Sequence, residues 1–273
     1  MNRTEFFKHL RRRDVGVFGT SLSEGQVAGC EAILDACRAY PLHHVSHVLA
    51  EVYHETGAGM LPVKETVFPH SRDKNPSDAK VIARLDRAWA KGQLPWVSKP
   101  YWRDGWFGRG QIQLTHEFNY RKAGALVGVD LVSDPSLALE LAVSAEIAAE
   151  GCRVGLFTGK ALSDYDLPDG FDHYNARAIV NGDKRKNGPV IARYADAFES
   201  ALYAAGWGSE PPVRPDVEPT SIPAPIIHDD PQEAPAARIS PQKGIAAAVV
   251  ALFALGAAKG QEIIAWINGL FGG

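Results

Sequence analysis

Cysteine is scarce in this sequence of 273 residues, which contains only Cys30, Cys37 and Cys152. The odd count and the lack of a CxxC pair argue against both a disulfide scaffold and a zinc knuckle. Cys30 and Cys37 lie about 10 Å apart along a helix, which is too far for a bridge that leaves the helix intact. We therefore expect a protein that is made in a reducing compartment.

An excess of basic residues is also missing. Lysine and arginine number 29 against 32 acidic residues, which gives a formal charge of −3. Binding to duplex nucleic acid needs a basic face that displaces counterions from phosphates, so no nucleic-acid partner is expected. Hydrophobic residues make up 45% and charged residues 22% of the chain. These values exclude a disordered chain, a collagen-like fibre and a multi-span membrane protein.

Long apolar runs are absent from the start of the chain and short at its end. Residues 1–17 are charged but lack the apolar stretch of a signal peptide. Residues 244–258 carry no charge, yet a bilayer-spanning helix needs roughly 20 apolar residues. With Lys259 at an interface and Trp266 beyond it, we expect this tail to contact the inner membrane as a marginal span or an in-plane helix. A hydrophobic helix that packs on the protein or self-associates is the alternative.

Proline marks the domain boundaries. Nine of the 18 prolines fall in residues 209–242, which also carry a local charge of −4 from six acidic residues and two arginines. Such a segment cannot bury enough apolar surface to offset its ordering entropy, and its prolines make it a semi-rigid linker. The sequence therefore predicts a globular domain over 1–208, an acidic linker over 209–242 and a hydrophobic segment over 243–273.

The predicted domain is mainly helical. Apolar residues recur in it at three- and four-residue spacing, which is typical of α-helices. Pro135 and Pro189 fit first-turn prolines. Strand signals are weak, so we expect a mainly α (α+β) domain with a small hairpin. The predicted helices are 3–13, 23–40, 43–55, 76–91, 116–127, 135–154 and 189–205.

The helix predicted over 43–55 carries the first candidate for chemistry. One stripe of this helix is apolar. The opposite face, expected to be solvated, consists of His43, His47, Glu51 and His54. Glu55 lies at the edge of the stripe, in the last turn before glycines end the helix. A carboxyl that is partly sunk among apolar side chains has a raised pKa, as a general acid requires; a solvated helix-end glutamate is the alternative.

The same helix admits a metal-based alternative. His47, Glu51 and His54 share one face, so three ligands for zinc would converge there. The HExxH pattern is missing, however, since Ala58 stands three residues after Glu55. Histidines on such a face are more often surface residues, and we expect no metal.

A second carboxyl, Glu65, follows ten residues after Glu55, beyond a glycine-containing turn. Two carboxyls about 6.5–9.5 Å apart leave room for a water between the base and a sugar, which gives inversion. Residues 101–120 then supply sugar-binding chemistry, because aromatic faces stack on sugar rings and amides bind hydroxyl and acetamido groups. The candidates are the aromatic Tyr101, Trp106 and Phe107 and the polar Gln113, Thr115 and Asn119; core packing is the alternative for the aromatic residues.

Four motifs occur in order: HETG at 54–57, the second glutamate, GRGxIQLTxxxNY at 108–120 and IVNGD at 179–183. In this combination they resemble family 19 glycoside hydrolases, the plant-type chitinases and related phage endolysins. The resemblance spans about residues 45–205 and implies a lysozyme-like helical fold. The lack of disulfides looks more like the bacteriophage endolysin branch than like the plant enzymes.

The resemblance also implies roles for individual residues. Glu55 matches the general acid, Glu65 the general base and Thr115 the residue that helps to hold the attacking water. The other matches are polar residues that bind the sugar or orient the base, Gln113, Asn119 and Asn181, and the structural residues Arg109 and His54. Ala58 stands where the family often has glycine, and residues 68–98 do not align.

By this resemblance the protein hydrolyses β-1,4 bonds of peptidoglycan by an inverting two-carboxylate mechanism without a cofactor. A chitinase is the nearest enzymatic alternative, and a non-catalytic wall-binding module is an alternative of another class. We expect synthesis in the cytoplasm of a bacterial host and action on glycan strands in the periplasm. Without a signal peptide, the protein would pass a holin-type pore or cross by its own tail.

Overall fold

The computed structural model describes residues 1–68 and 71–208, which contain eight α-helices, four short 3-10 helices and four two-residue strands. The helices are α1 Arg3–Leu10, α2 Glu24–Ala36, α3 Leu42–Glu55, α4 Asp78–Ala90, α5 Glu117–Val127, α6 Leu141–Val154, α7 His173–Ala176 and α8 Lys184–Ala204. The strands are β1 Val63–Lys64, β2 Arg109–Gly110, β3 Asp166–Leu167 and β4 Gly170–Phe171. The predicted mainly α fold class is confirmed.

Local capping decides where several helices begin. Ser23 and Gln26 form a capping box, in which each side chain bonds the backbone N–H of the other, so α2 begins at Glu24. Pro135 occupies a first turn as predicted, but that turn is a 3-10 helix that ends at Leu139. Pro189 lies inside α8, and its prediction as a first-turn proline is wrong, because backbone bonds to the carbonyl of Asp183 start the helix earlier.

Helix α3 is the centre of the domain and packs against α2, α6 and α8. Its apolar stripe lies in the main core, as the periodicity predicts. The polar face is covered as well, since His47 and Glu51 are fully buried and His54 is nearly so. The prediction of a solvated face is therefore wrong at these three positions. A buried polar face needs polar partners, and the turn at Arg177 supplies one of them.

A short antiparallel ladder ties the segment after α3 to the GRG motif. Val63 of β1 pairs with Gly110 of β2, and Lys64 pairs with Arg109. The second strand pair, β3 with β4, is a tight hairpin, which confirms the predicted small hairpin. The ladder matters for the site, because it places the residue after β1 beside the residue before β2.

The predicted linker 209–242 and the hydrophobic segment 243–273 lie outside the described residues. Within the residues that are described, no helix combines the length and the apolar character needed to cross a membrane. All three cysteines are buried and free.

Candidate active site

A cleft of about 340 Å³ lies between the end of α3, the β1–β2 ladder and the segment that follows α4. Glu55, Glu65 and Thr115, the three predicted catalytic residues, all line this cleft. The other lining residues are Thr66, Phe68, Trp96, Val97, Ser98, Lys99, Tyr101, Gln113 and His116. Two residues that are ten positions apart in the sequence therefore present their carboxyl groups to one space.

Glu55 is the last residue of α3, and its side chain is 2% exposed. The helix ends there because Gly57 adopts a positive φ of 58°. The Thr56 hydroxyl then accepts a 2.8 Å hydrogen bond from the N–H of Met60, which fixes the following loop. Burial raises the pKa of Glu55, and the nearby guanidinium of Arg177 opposes part of that rise. A buried carboxyl that retains its proton is suited to act as a general acid.

Arg177 is a fully buried cation beneath the cleft. Its Nη1 lies 2.7 Å from Oε1 of Glu55 and also contacts Oε2 of Glu51. Its Nε donates a 2.8 Å hydrogen bond to Oδ1 of Asp183. Since a buried charge is stable only when it is paired, this guanidinium holds three carboxyl groups of α3 and the IVNGD motif in one cluster.

Glu65 follows β1 and is held on both carboxyl oxygens. Oε1 accepts a 2.9 Å hydrogen bond from the hydroxyl of Tyr101, and Oε2 accepts a 2.8 Å bond from the N–H of Gly108. The N–H of Glu65 in turn donates to the carbonyl of Gly108 at 2.7 Å. Burial raises the pKa of Glu65, and the two donors oppose that rise because they favour the charged form. The carboxyl is therefore rigidly placed, and its two donors offset part of the effect of burial.

Backbone strain is concentrated around these residues. The non-glycine residues with positive φ in the described ranges are Ala58, Met60, Thr66 and His116. Thr66 directly follows Glu65, His116 directly follows Thr115, and Ala58 comes three residues after Glu55. Each such residue costs about 1–3 kcal/mol and persists only where the surrounding structure imposes it, which is common at functional sites.

Residues 43–150 match the family model of glycoside hydrolase family 19, described as chitinase class I. The likeness predicted from the motifs is therefore confirmed over this segment, which runs from α3 into α6 and contains Glu55, Glu65 and Thr115. The lysozyme-like helical fold that the resemblance implies agrees with the mainly α domain.

The curated relatives and the solved structure described here are named as chitinases. Chitinase 11 of Oryza sativa subsp. japonica is 56% identical over 32 residues, 12% of each chain. A basic endochitinase of Vitis vinifera is 25% identical over 122 residues, which is 39% of this chain and 35% of that protein. The chain thus spans about a third or less of these relatives. Chitinase C of Streptomyces griseus HUT6037 is 20% identical with a TM-score of 0.45, covering 75% of this chain and 76% of that one.

Two polar residues of the segment that matches the family model, Gln113 and Asn119, lie beside the ladder and the cleft. Gln113 donates from Nε2 to the carbonyls of Val63 at 3.0 Å and Gly110 at 3.1 Å, so it spans β1 and β2. Its buried Oε1 has no hydrogen-bond partner within the described structure. Asn119 donates a 2.9 Å bond to the carbonyl of Thr115. Asn119 therefore fixes the backbone of a cleft residue rather than facing the cleft itself.

Two of the predicted sugar-binding aromatic residues lie elsewhere. Phe107 is fully buried, with the Arg109 guanidinium 3.7 Å above its ring, so its prediction as a sugar-binding residue is wrong. The ring of Trp106 packs against that of Tyr120 at 5.4 Å, and it is not among the described residues that line the cleft. Tyr101 does line the cleft. Core packing, the alternative for these side chains, applies to the first two.

Asn181, Arg109 and His54 lie outside the cleft. The N–H of Asn181 donates to the carbonyl of Arg177 at 3.0 Å, so this bond fixes the backbone between Arg177 and Asn181. Arg109 pairs with Asp78 at 3.1 Å, the kind of ion pair predicted for it. Burial lowers the pKa of His54 to about 3, so this ring is neutral.

The histidine face of α3 does not assemble a metal site. The described ranges contain no group of three or more His, Cys, Asp or Glu residues arranged to hold a metal ion. Glu51 turns to Arg177, while His47 stacks on His173 with ring centroids 5.5 Å apart. The zinc alternative is therefore not supported by the arrangement of these side chains.

Sequence reasoning missed two parts of the site. Arg177 was not singled out, although a lone arginine in the apolar-flanked stretch ARAIV is a signal for a buried cation. Residues 96–99 form a wall of the cleft, but they lie in the stretch that no motif covers. In this wall the indole of Trp96 is 45% exposed, which is unusual for such a large apolar side chain.

Proposed function

We propose that this protein is an inverting glycoside hydrolase that cleaves β-1,4 glycosidic bonds of bacterial peptidoglycan. The observation that carries the proposal is that Glu55 and Glu65 line one cleft and have different surroundings. Burial raises the pKa of Glu55 and favours its protonated form, although Arg177 opposes part of that rise, whereas Glu65 receives two hydrogen bonds that favour its charged form. Two carboxyls in opposite protonation states are what acid–base hydrolysis of a glycoside requires.

In the first half of the reaction, Glu55 donates its proton to the glycosidic oxygen. The bond between that oxygen and the anomeric carbon breaks, and its electron pair leaves with the departing sugar. Glu55 becomes a carboxylate, which Arg177 stabilises from 2.7 Å. No cofactor is required, because the charge of the oxocarbenium-like transition state is balanced by carboxylate groups.

In the second half, Glu65 removes a proton from a water molecule that attacks the opposite face of the anomeric carbon. Tyr101 and Gly108 hold the carboxylate in place during this step. The hydroxyl of Thr115 lines the same cleft and is the group that would bind this water. Attack from the face opposite to the leaving group inverts the configuration at the anomeric carbon.

Two further residues of the cleft have the chemistry to bind an N-acetylated glycan. The exposed indole of Trp96 offers a flat apolar face on which a sugar ring stacks. Gln113 offers the unpaired Oε1, an acceptor for an acetamido N–H or a sugar hydroxyl. This set of groups suits both peptidoglycan and chitin.

Lys99 favours peptidoglycan over chitin. Its exposed side chain lines the cleft, and it has no ion-pair partner in the described part of the chain. Peptidoglycan carries carboxylates on its peptide stems, whereas chitin is uncharged, so an ammonium group here attracts only the first polymer. Chitin remains the second candidate, because the matching family model and the curated relatives are named as chitinases.

The cellular setting of the proposal rests on the sequence. A wall-degrading domain, a Pro-rich tether over 209–242 and an apolar tail over 243–273 fit an endolysin that is made in the host cytoplasm. It would reach the periplasm through a holin-type pore or by its tail, which would contact the inner membrane. If the chain shortened by 243–273 sediments with membranes as the full chain does, the tail has no such role.

The proposal is tested by incubating the full chain with purified cell wall and with chitin, and measuring new reducing ends. We expect release from cell wall, with mass spectrometry of the fragments identifying the cleaved bond. Glu55→Gln should abolish release, while Glu146→Gln, at an exposed position of α6, is the control for loss of one negative charge. Release from chitin alone would favour the chitinase, and wall binding without reducing ends would indicate a binding module.

A further inference from the structure

Glu51 is a second buried carboxyl beside the proposed general acid. It lies one helical turn before Glu55 on α3, and both side chains contact the same nitrogen, Nη1 of Arg177. Asp183 occupies Nε of the same guanidinium at 2.8 Å. Three carboxyl groups thus surround one cation; Glu51, Glu55 and Arg177 are buried, while Asp183 is partly exposed.

The hydrogen bonds of this cluster are incomplete. Oε1 of Glu51 and Nη2 of Arg177 are buried and have no hydrogen-bond partner within the described structure. Nε2 of His47 lies 3.6 Å from this oxygen, which is beyond hydrogen-bond distance. If all three carboxyls were ionised, one guanidinium would have to balance the two buried carboxylates of Glu51 and Glu55 as well as Asp183, and unbalanced buried charge is strongly disfavoured. The cluster therefore retains a proton.

We propose that Glu51 and Glu55 hold one proton between them on the shared guanidinium of Arg177, and that Glu51 thereby keeps the general acid protonated to higher pH. The inference rests on the proposed function, in which Glu55 is that acid. Glu51 does not touch the substrate and acts as a positioning residue. When Glu51 is ionised it takes up the charge of Arg177, and the proton resides on Glu55.

None of the other titratable groups around Glu51 competes with Glu51 and Glu55 for this proton. The titratable neighbours are His47 and His54 on α3, His173 on α7, Asp183 before α8 and Cys152 on α6. Burial lowers the pKa of each of the three histidines, so these rings are neutral. Burial raises the pKa of the Cys152 thiol, and Asp183 is held ionised by Arg177. Burial also raises the pKa of Glu51, to about 8, and the charge of Glu55 adds to that rise, so that the two carboxyls compete for one proton.

The test is the pH dependence of kcat/KM on cell-wall substrate for the wild type, Glu51→Gln and Glu146→Gln. In Glu51→Gln the amide cannot share a proton. Glu55 is then the only glutamate that pairs with Nη1 of Arg177, so its pKa should fall. We expect the alkaline limb to move to lower pH by about one unit, with activity at pH 7 falling about tenfold and activity on the acid side retained. Glu146→Gln should keep the wild-type profile. A merely structural role would lower activity equally at every pH.

A second measurement does not depend on turnover. Carboxyl carbon signals of Glu51 and Glu55 in 13C-labelled protein should titrate in two coupled steps, each visible at both residues. Independent single steps in the wild type, or an unshifted alkaline limb in folded Glu51→Gln, would overturn the inference. Absence of hydrolysis by the wild type would instead refute the proposed function, and the titration would still decide the proton sharing.

Discussion

The hydroxyl of Tyr101 donates a 2.9 Å hydrogen bond to Oε1 of Glu65, across the edge of the cleft that both residues line. This bond favours the carboxylate and lowers the pKa of Glu65 against the rise caused by burial. In Tyr101→Phe the pKa of Glu65 should rise. Because a general base must be unprotonated, the acid limb of kcat/KM should move to higher pH by about one unit.

The matched control for that variant is Tyr40→Phe. Tyr40 also donates to a carboxylate, Oε1 of Glu150, at 2.5 Å, but it lies outside the cleft. We expect its pH profile to equal that of the wild type. An acid limb that is unchanged in Tyr101→Phe would show that the tyrosine does not control the charge of Glu65.

Arg177 should contribute more to stability than any surface ion pair. In Arg177→Met the carboxyls of Glu51, Glu55 and Asp183 lose their common cation, and breaking such a buried pair costs about 3–5 kcal/mol. Urea unfolding measures this loss. Arg121→Met, which removes an exposed pair with Glu117, should cost less than about 1 kcal/mol. Equal losses would contradict the role of Arg177 as the centre of the cluster.

Lys99 should distinguish the two candidate substrates. In Lys99→Ala, hydrolysis of peptidoglycan should fall about tenfold through a higher KM, since an attractive charge is lost, while hydrolysis of chitin oligomers stays the same. The loss should be smaller at high salt, which screens the interaction. Lys160→Ala, at an exposed position outside the cleft, is the control. A similar fall on both substrates would remove Lys99 as a specificity residue.

The buried His54 should make the domain sensitive to acid. Its pKa is about 3 in the folded protein against 6.5 for the free side chain. Between about pH 3 and pH 6.5, His54 therefore binds a proton in the unfolded chain but not in the folded chain. Stability from this group is complete above pH 6.5 and is lost as pH falls toward about 3, by about 1.4 kcal/mol per pH unit.

Unfolding free energies of His54→Asn and the wild type between pH 4 and pH 7 test this dependence. The variant should be less stable at pH 7 but should show a shallower decline, by about one bound proton. His9→Asn, on the surface beside Ser200, controls for the loss of a histidine. Parallel declines of His54→Asn and the wild type would contradict the assignment.

Most helices could be predicted because apolar spacing is a local signal. The polar face of α3 could not, because periodicity treats a polar residue as solvent-facing. Its partner Arg177 lies 126 positions from Glu51 in the sequence, and only the tertiary fold brings the two together. The early start of α8 was missed for another reason, since Pro189 was taken to mark a first turn, where proline is favoured, although it lies inside the helix.

At the site, ordered motifs located the residues that meet in the cleft, Glu55, Glu65, Gln113 and Thr115. Residue type alone could not separate Tyr101, which faces the cleft, from Phe107, which is buried under Arg109. Both are aromatic residues near glycines, and only the path of the backbone decides between them. Trp96 and Lys99 belong to no motif, so their place in the wall could be found only from the structure.

The two proposed catalytic carboxyls are anchored with unequal strength. Glu55 ends a helix covered on its sides by three others, so its amide exchanges with deuterium mainly when the whole domain opens. Glu65 directly follows the β1–β2 ladder, which has only two residue pairs. Local opening of this ladder costs less free energy than unfolding of the whole domain. On warming, we therefore expect the proposed base to leave its place before the proposed acid does, so that hydrolysis would be lost reversibly while the helices are still intact.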